Sequence, residues 1–429
     1  MSRPPLQPAA ATAPAPAAAS PATERATFFR QGGWMMLATV AGGVLMWAVH
    51  LLSRAIPASE YGTLITLLSV VNLIPTLPLQ MVFTQQTALA LATGRAAQLA
   101  GLIRYAGLGI LLTGVLGAVV LGNFHQFIIT RWNLANPLAL PVLLLVILLS
   151  LVWPVFAGLM QGRQNFLWLG WCSILNGAGR IIAATLIVMV GHGHATGILA
   201  GVAAGLVLAC MIGAWQAHAA WRAAPGAPGE FDTRILTRQV APLMLGFVAT
   251  QFLFSADTVY VNAYFGADRT APYGAAGTLS RALLWLVLPL AGVMFPKIVR
   301  HSVSHQKAGL LGVALLVTGA LATLGFLSLW VLGPWLVRIF PPAYAPETLQ
   351  VLPWYAGAMV PLALANVLVN DLLARSQFKI VPVLVLLATA YGVALTQFHT
   401  SPTMILQLLC GFNLLLLAVC AGFVWGGKK

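Results

Sequence analysis

Four charged side chains lie inside long apolar stretches of this 429-residue sequence. Because an ionisable group in a membrane helix is costly unless it is paired or faces water, each is a candidate functional residue. Arg180, in LNGAGRIIAATL, has no acidic residue three or four positions away, so a water-filled cavity or an anionic ligand is the simplest account of it. Asp257 and Arg281 lie at similar predicted depths in consecutive stretches, where they either form a structural ion pair or face a central cavity. Asp371 is predicted to pair with Arg375, one helical turn away.

Uncharged polar residues and prolines mark the second and eighth apolar stretches. Gln80 and Gln85 need partners in lipid, which either a neighbouring helix or a hydroxyl-rich cargo such as a sugar would supply. Pro75 and Pro78 in the second stretch, and Pro289 in the eighth, each remove a backbone hydrogen bond and loosen a helix. Such positions suit a gate that bends, and they also occur where a kink only serves packing.

The remaining reactive residue types form no recognisable site. The four cysteines lie within apolar stretches and make no CxxC pair. His192 and His194 lack cysteine or carboxylate neighbours, and His301 and His305 fall in a basic loop. No Walker A, GxSxG or paired-carboxylate motif occurs. The sequence therefore predicts no metal, no cofactor and no enzymatic activity.

The composition identifies the elements that must position these residues. Hydrophobic residues make up 60% of the chain and charged residues 7%, with a mean hydropathy of +0.90, which excludes a soluble globular protein. The net charge of +14 comes from basic residues between apolar stretches, where the cytoplasmic loops of membrane proteins collect them. We therefore expect a multi-pass helical membrane protein embedded in a lipid bilayer, with no nucleic-acid partner.

Apolar stretches of about 20 residues, the length that crosses a bilayer, occur twelve times after a disordered Pro- and Ala-rich tail at residues 1–27. They centre near Gly43, Val71, Leu112, Ile147, Ala183, Gly205, Phe252, Leu286, Ala320, Gly357, Leu387 and Leu415. The positive-inside rule tests this count, because a missed span would invert every later loop. With both termini cytoplasmic, sixteen Lys and Arg fall inside and four outside, the four being Arg54, Arg131, Arg269 and Arg338.

The two parts of the chain resemble each other. A shift of 212 residues aligns Tyr61-Gly62 with Tyr273-Gly274 and Arg163 with Arg375 without a gap. This repeat predicts an all-α fold of two six-helix bundles, residues 28–221 and 240–429, joined by a cytoplasmic linker at 222–239. Because six is even, both bundles start in the cytoplasm and the repeat is parallel.

Three segments together resemble the polysaccharide flippases of the MOP superfamily, the Wzx-type exporters of lipid-linked oligosaccharides. They are LLSRAIPASEYGTLITLLSVVNL at 51–73, FAGLMQGRQNF at 156–166 and SADTVYVNAYFGADRTAPYGAAGTLSRALLWLVLPLAGVMFPKIVRH at 255–301. The first is similar to that family's first loop and second span, and the second to its turn between spans four and five. The third is similar to its seventh and eighth spans.

The resemblance implies two bundles around a central cavity that opens alternately to the two sides of a bacterial cytoplasmic (inner) membrane. The implied cargo is an oligosaccharide on a polyprenyl pyrophosphate, with glycosyltransferases and a polysaccharide polymerase as functional partners. A cationic cavity suits pyrophosphate, and Arg180 and Arg281 are the candidates that the residues themselves offer for it.

Other functions stay open at this point. A cation-coupled multidrug exporter of the same superfamily would use Asp257 as its protonated carboxylate, although residues 31–52 lack the acidic residue that such exporters typically carry in the first span. The related flippases of the peptidoglycan precursor usually have fourteen spans, two more than predicted here. A membrane-embedded transferase would need a catalytic base or an acidic metal site, and the eight carboxylates of the chain are scattered singly.

Overall fold

The computed structural model describes residues 21–221, 240–282 and 307–426, and within these ranges the regular structure is entirely helical. The helices of the first range are α1 (Pro21–Trp47), continued by a 3-10 segment (Ala48–Arg54), α2 (Ala58–Val71), α3 (Thr76–Thr93), α4 (Ala96–Arg131), α5 (Ala139–Gly162), α6 (Phe166–Gly191) and α7 (His194–Gln216). Those of the other two ranges are α8 (Ala241–Phe265), α9 (267–282), α10 (Lys307–Leu336), α11 (Ala345–Ala374), α12 (Val381–Gln397) and α13 (Pro402–Gly426).

Eleven helical segments of the described residues are long and apolar enough to cross a membrane. They coincide with eleven of the twelve predicted spans. The eighth predicted span, centred near Leu286, begins in α9 and continues outside the described residues, as do Pro289 and the predicted linker at 222–239. α1 begins at Pro21, earlier than the predicted start at residue 28, because proline suits a first helical turn and the residues after it favour a helix.

The second span is interrupted in the middle. α2 ends at Val71 and α3 starts at Thr76, and Pro75 occupies the position just before α3. Proline lacks an N–H and keeps the preceding residue out of the helical region, so the two helices do not fuse. Pro78 lies in the first turn of α3, where a missing N–H leaves no hydrogen bond unmade. The second span therefore consists of two rods that meet at Asn72–Pro75.

The outside of the molecule is apolar. On α4, Leu111 and Leu116 are 62% and 64% exposed, and Val190 at the end of α6 is 80% exposed. Soluble proteins rarely present large continuous apolar surfaces, whereas in a bilayer such side chains contact lipid and the helix satisfies its own backbone. The exposure of these apolar side chains, like the composition, therefore indicates that the helices are embedded in a membrane.

The helices up to residue 221, here the N-terminal half, pack chiefly against one another, as do those from residue 240 onward, the C-terminal half. Between the halves, α2 packs on α8 and α3 also contacts α8. One buried apolar cluster continues from Val49, Tyr61 and Ile65 into the C-terminal half. A second cluster, around Phe83 and Leu159, contains only residues of the N-terminal half among those described. We call the side of the molecule that carries the loops with Arg54, Arg131 and Arg338 the far side, and the opposite side the near side.

Candidate functional site

Asp257 and Arg281 form an ion pair in the C-terminal half. The guanidinium Nη2 of Arg281 donates to Oδ1 of Asp257 at 2.8 Å and to the Thr258 hydroxyl at 3.1 Å. The other carboxylate oxygen accepts hydrogen bonds from the hydroxyls of Tyr273, at 2.8 Å, and Tyr355, at 2.5 Å. Asp257 is completely buried and the Arg281 side chain is 10% exposed. Both oxygens of this carboxylate are therefore occupied by donors from α9 and α11.

The guanidinium of Arg281 is held on more than one side. Its carbon lies 5.1 Å from the centre of the Phe254 ring and 5.5 Å from that of Tyr355, distances at which a cation is attracted to an aromatic face. Its Nε is buried and has no hydrogen-bond partner among the described residues. The sequence predicted that the two charges could meet. It did not predict Tyr273 and Tyr355, whose only signal was a hydroxylated aromatic residue within an apolar span.

Arg180 lies near the middle of α6, as predicted, and belongs to no ion pair among the described residues. Its Nε is buried without a hydrogen-bond partner there. α7 packs closely against α6 at Gly205. A Cβ added at Gly205 would lie 2.9 Å from the backbone nitrogen of Arg180. The N-terminal half thus contains a cation with no compensating charge in the described structure.

His50, at the end of the first span, lies at the boundary between the halves. Its Nδ1 lies 3.2 Å from the hydroxyl of Tyr61, whose ring stacks on Tyr344 of the C-terminal half. His50 was missed because a single histidine in an apolar run has no sequence signature.

The other predicted site residues have individual placements. Gln80 donates from Nε2 to Oε1 of Gln161 on α5 at 2.8 Å, so its partner in this structure is a neighbouring helix. Gln85 is exposed on α3. Asp371 and Arg375 form the predicted pair at 2.8 Å. Among the described residues, no group of three His, Cys, Asp or Glu side chains is arranged to hold a metal ion.

The backbone arrangement of these helices is that of a known class of transporter fold. No protein family model and no curated protein matches the sequence. Solved structures do match, among them MATE family transporters and a further member of the MOP superfamily.

Three of the solved structures illustrate the likeness. An inward-facing multidrug resistance MATE transporter of the MOP superfamily has a TM-score of 0.65 and 11% identity, with 92% of this chain and 94% of that chain covered. A mutant of the MATE transporter VcmN of Vibrio cholerae has a TM-score of 0.62 and 14% identity, covering 95% and 99%. A Pyrococcus furiosus MOP-superfamily transporter, described as having a binding pocket of reverse polarity that suggests a different function, has a TM-score of 0.53 and 11% identity, covering 95% and 92%. At these identities the likeness shows the fold: this chain is a multi-pass membrane protein with a MATE-type transporter fold.

Proposed function

We propose that this protein transports an anionic amphiphile across a bacterial cytoplasmic membrane by alternating access, and that its cargo is an oligosaccharide linked to a polyprenyl pyrophosphate. Glycosyltransferases would supply this cargo and a polysaccharide polymerase would consume it. The fold supports transport. The charges of the interior support an anionic cargo.

The observation that carries the proposal is Arg180 at mid-span, which forms no ion pair among the described residues and whose buried Nε has no hydrogen-bond partner there. A cation held at this depth is costly, so a mobile anion that neutralises it is a physical reason for its presence. Guanidinium groups bind phosphates through paired, charge-assisted hydrogen bonds, which makes a pyrophosphate a suitable ligand. Arg281 lies in the C-terminal half, where Asp257 already compensates its charge.

Replacement of Arg180 tests this function. We expect Arg180→Gln to abolish surface or secreted polysaccharide in cells while the protein stays in the membrane at a normal level. Arg180→Lys keeps the positive charge but loses the planar guanidinium that binds a phosphate through two hydrogen bonds, so this variant should retain part of the export. The matched control is Arg95→Gln, since Arg95 is an exposed residue in the turn before α4. Normal export in Arg180→Gln would contradict the proposal.

A cation-coupled multidrug exporter is the second candidate, and the multidrug transporters among the structural neighbours favour it. Asp257 would be its coupling carboxylate. In the described structure that carboxylate is compensated by Arg281 and has hydroxyl donors on its other oxygen, so a coupling ion would first have to displace them. If this candidate is correct, Asp257→Asn raises drug susceptibility, export depends on the cation gradient, and polysaccharide is unaffected.

A further inference from the structure

Two glycines mark a close crossing between the halves on the far side. A Cβ added to Gly62 on α2 would overlap the carbonyl oxygen of Ala267 on α9, which is backbone and cannot rotate away. A Cβ added to Gly274 on α9 would lie 2.6 Å from a methyl carbon of Ile65 on α2. These are the glycines of the two Tyr-Gly pairs that the 212-residue shift aligns. In each half, the glycine of the Tyr-Gly pair therefore leaves room for the close approach of the other half.

The contacts around this crossing are numerous and individually weak. Tyr61 stacks on Tyr344 with the ring centres 6.0 Å apart and the planes 17° from parallel. The guanidinium of Arg54 donates to the backbone carbonyl of Arg338. No ion pair between the halves occurs among the described residues. Stacking and single hydrogen bonds of this kind can separate and re-form without leaving a buried charge unpaired.

A second group of contacts closes the same side at the ends of α4 and α8. The guanidinium carbon of Arg131 lies 4.7 Å from the centre of the Tyr264 ring, and Asn262 donates to the carbonyl of Trp132 at 2.9 Å. Deeper in the molecule, the contact between the halves is the hydrogen bond from Gln251 to the carbonyl of Asn72, at 2.8 Å. Asn72 is the first residue of the break between α2 and α3. These side-chain contacts between the halves lie on the far side of this break or at it, and α8 also packs against α3 beyond the break.

We propose that the crossing of α2 and α9 at Gly62 and Gly274, the far-side crossing, is a gate that is closed in this structure and separates when the protein opens to the far side. The break at Asn72–Pro75 lets α2 move as a rod apart from α3. Small residues are required at these positions only while the halves are in contact. This inference rests on the transport part of the proposed function and not on the identity of the cargo.

Accessibility of Thr278 tests the gate without any cargo. Thr278→Cys, in a background without the four native cysteines, is labelled from the far side with a membrane-impermeant maleimide in intact cells. Gly62→Ala should hold the crossing open and speed the labelling several-fold. Gly43→Ala is the matched control, since a Cβ added at Gly43 meets nothing within 4 Å. Equal labelling in the Gly62 variant and the control would overturn the proposal.

A reversible cross-link gives a second measurement that does not depend on the stability of the Gly62 variant. The ideal Cβ of Gly274 lies 3.1 Å from the Cβ of Ile65, close to the separation of about 3.5–4.5 Å in disulfides. We expect oxidised Ile65→Cys/Gly274→Cys to show slower hydrogen exchange at residues 58–71 and 267–278 than the same protein after reduction. Residues 96–131 of α4 serve as the internal control and should exchange equally before and after reduction. Exchange at the crossing that is the same before and after reduction would mean that the crossing does not open.

Because neither measurement uses cargo, the gate and the cargo can fail separately. Export that survives Arg180→Gln together with labelling that responds to Gly62→Ala would reject the anionic cargo and keep the gate. The opposite pair of results would reject the gate and keep the cargo.

Discussion

Breaking the Asp257–Arg281 pair distinguishes a structural lock from a cargo-binding cation. Arg281→Met removes the positive charge and leaves a carboxylate that is completely buried. Removing one partner of a buried ion pair typically costs about 3–5 kcal/mol. Because Tyr273 and Tyr355 still donate to Asp257, we expect a decrease near the lower end, roughly 3 kcal/mol, in the free energy of unfolding.

The double variant supplies the matched control. Asp257→Asn/Arg281→Met carries neither charge, so most of the lost stability should return, since replacing both partners of a buried pair is often nearly neutral. Denaturant titration of the purified protein in detergent measures the free energy, and polysaccharide export in cells measures function. A stable double variant that exports normally means that the pair is only structural. A stable double variant without export means that at least one of the two charges acts in transport, and export by Asp257→Asn alone then distinguishes Arg281 from Asp257.

A specific result would refute the reasoning from burial. If Arg281→Met unfolds within about 1 kcal/mol of the original protein, a range usual for exposed ion pairs, the carboxylate is not desolvated in the folded protein. Asp257 would then be accessible to solvent. In that event its use as a coupling carboxylate by a drug exporter would gain support.

Two smaller perturbations follow from the placements of the uncharged residues. Gln80→Leu should lower the free energy of unfolding by roughly 0.6–1.7 kcal/mol, because Gln161 loses its hydrogen-bond partner. Gln85→Leu, at an exposed position, should leave the free energy of unfolding unchanged. The same denaturant titration compares the two variants. Pro75→Ala allows α2 and α3 to join, so far-side labelling of Thr278→Cys should slow several-fold, and unchanged labelling would show that the break at Pro75 plays no part in opening.

The spans were predictable because their signal is local. A run of about 20 apolar residues identifies a membrane helix without knowledge of its neighbours, and eleven of the predicted runs are helices in the described structure. The interruption at Pro75 is equally local, since it follows from the covalent structure of one residue. The arrangement as two six-helix bundles with cytoplasmic termini, by contrast, depends on a repeat and a charge count and stays a prediction.

The partners of the buried charges could not be predicted in the same way. Tyr355 is 98 residues from Asp257 along the chain, and Tyr273 is 16 residues away on another helix. No periodicity within one span relates these positions, so only the packing of α8, α9 and α11 brings the hydroxyls to the carboxylate. The Arg281 pairing was easier, because two antiparallel neighbours at similar depth had opposite charges.

The contrast between the two arginines bears on the cargo. Arg281 has a carboxylate that neutralises it in the resting structure, so its charge is available to a ligand only if Asp257 is rearranged or shared. Arg180 has no such partner among the described residues, so its charge is available to a ligand without the displacement of a carboxylate. Of the two arginines, Arg180 is therefore the one whose replacement should remove cargo binding without first breaking an ion pair.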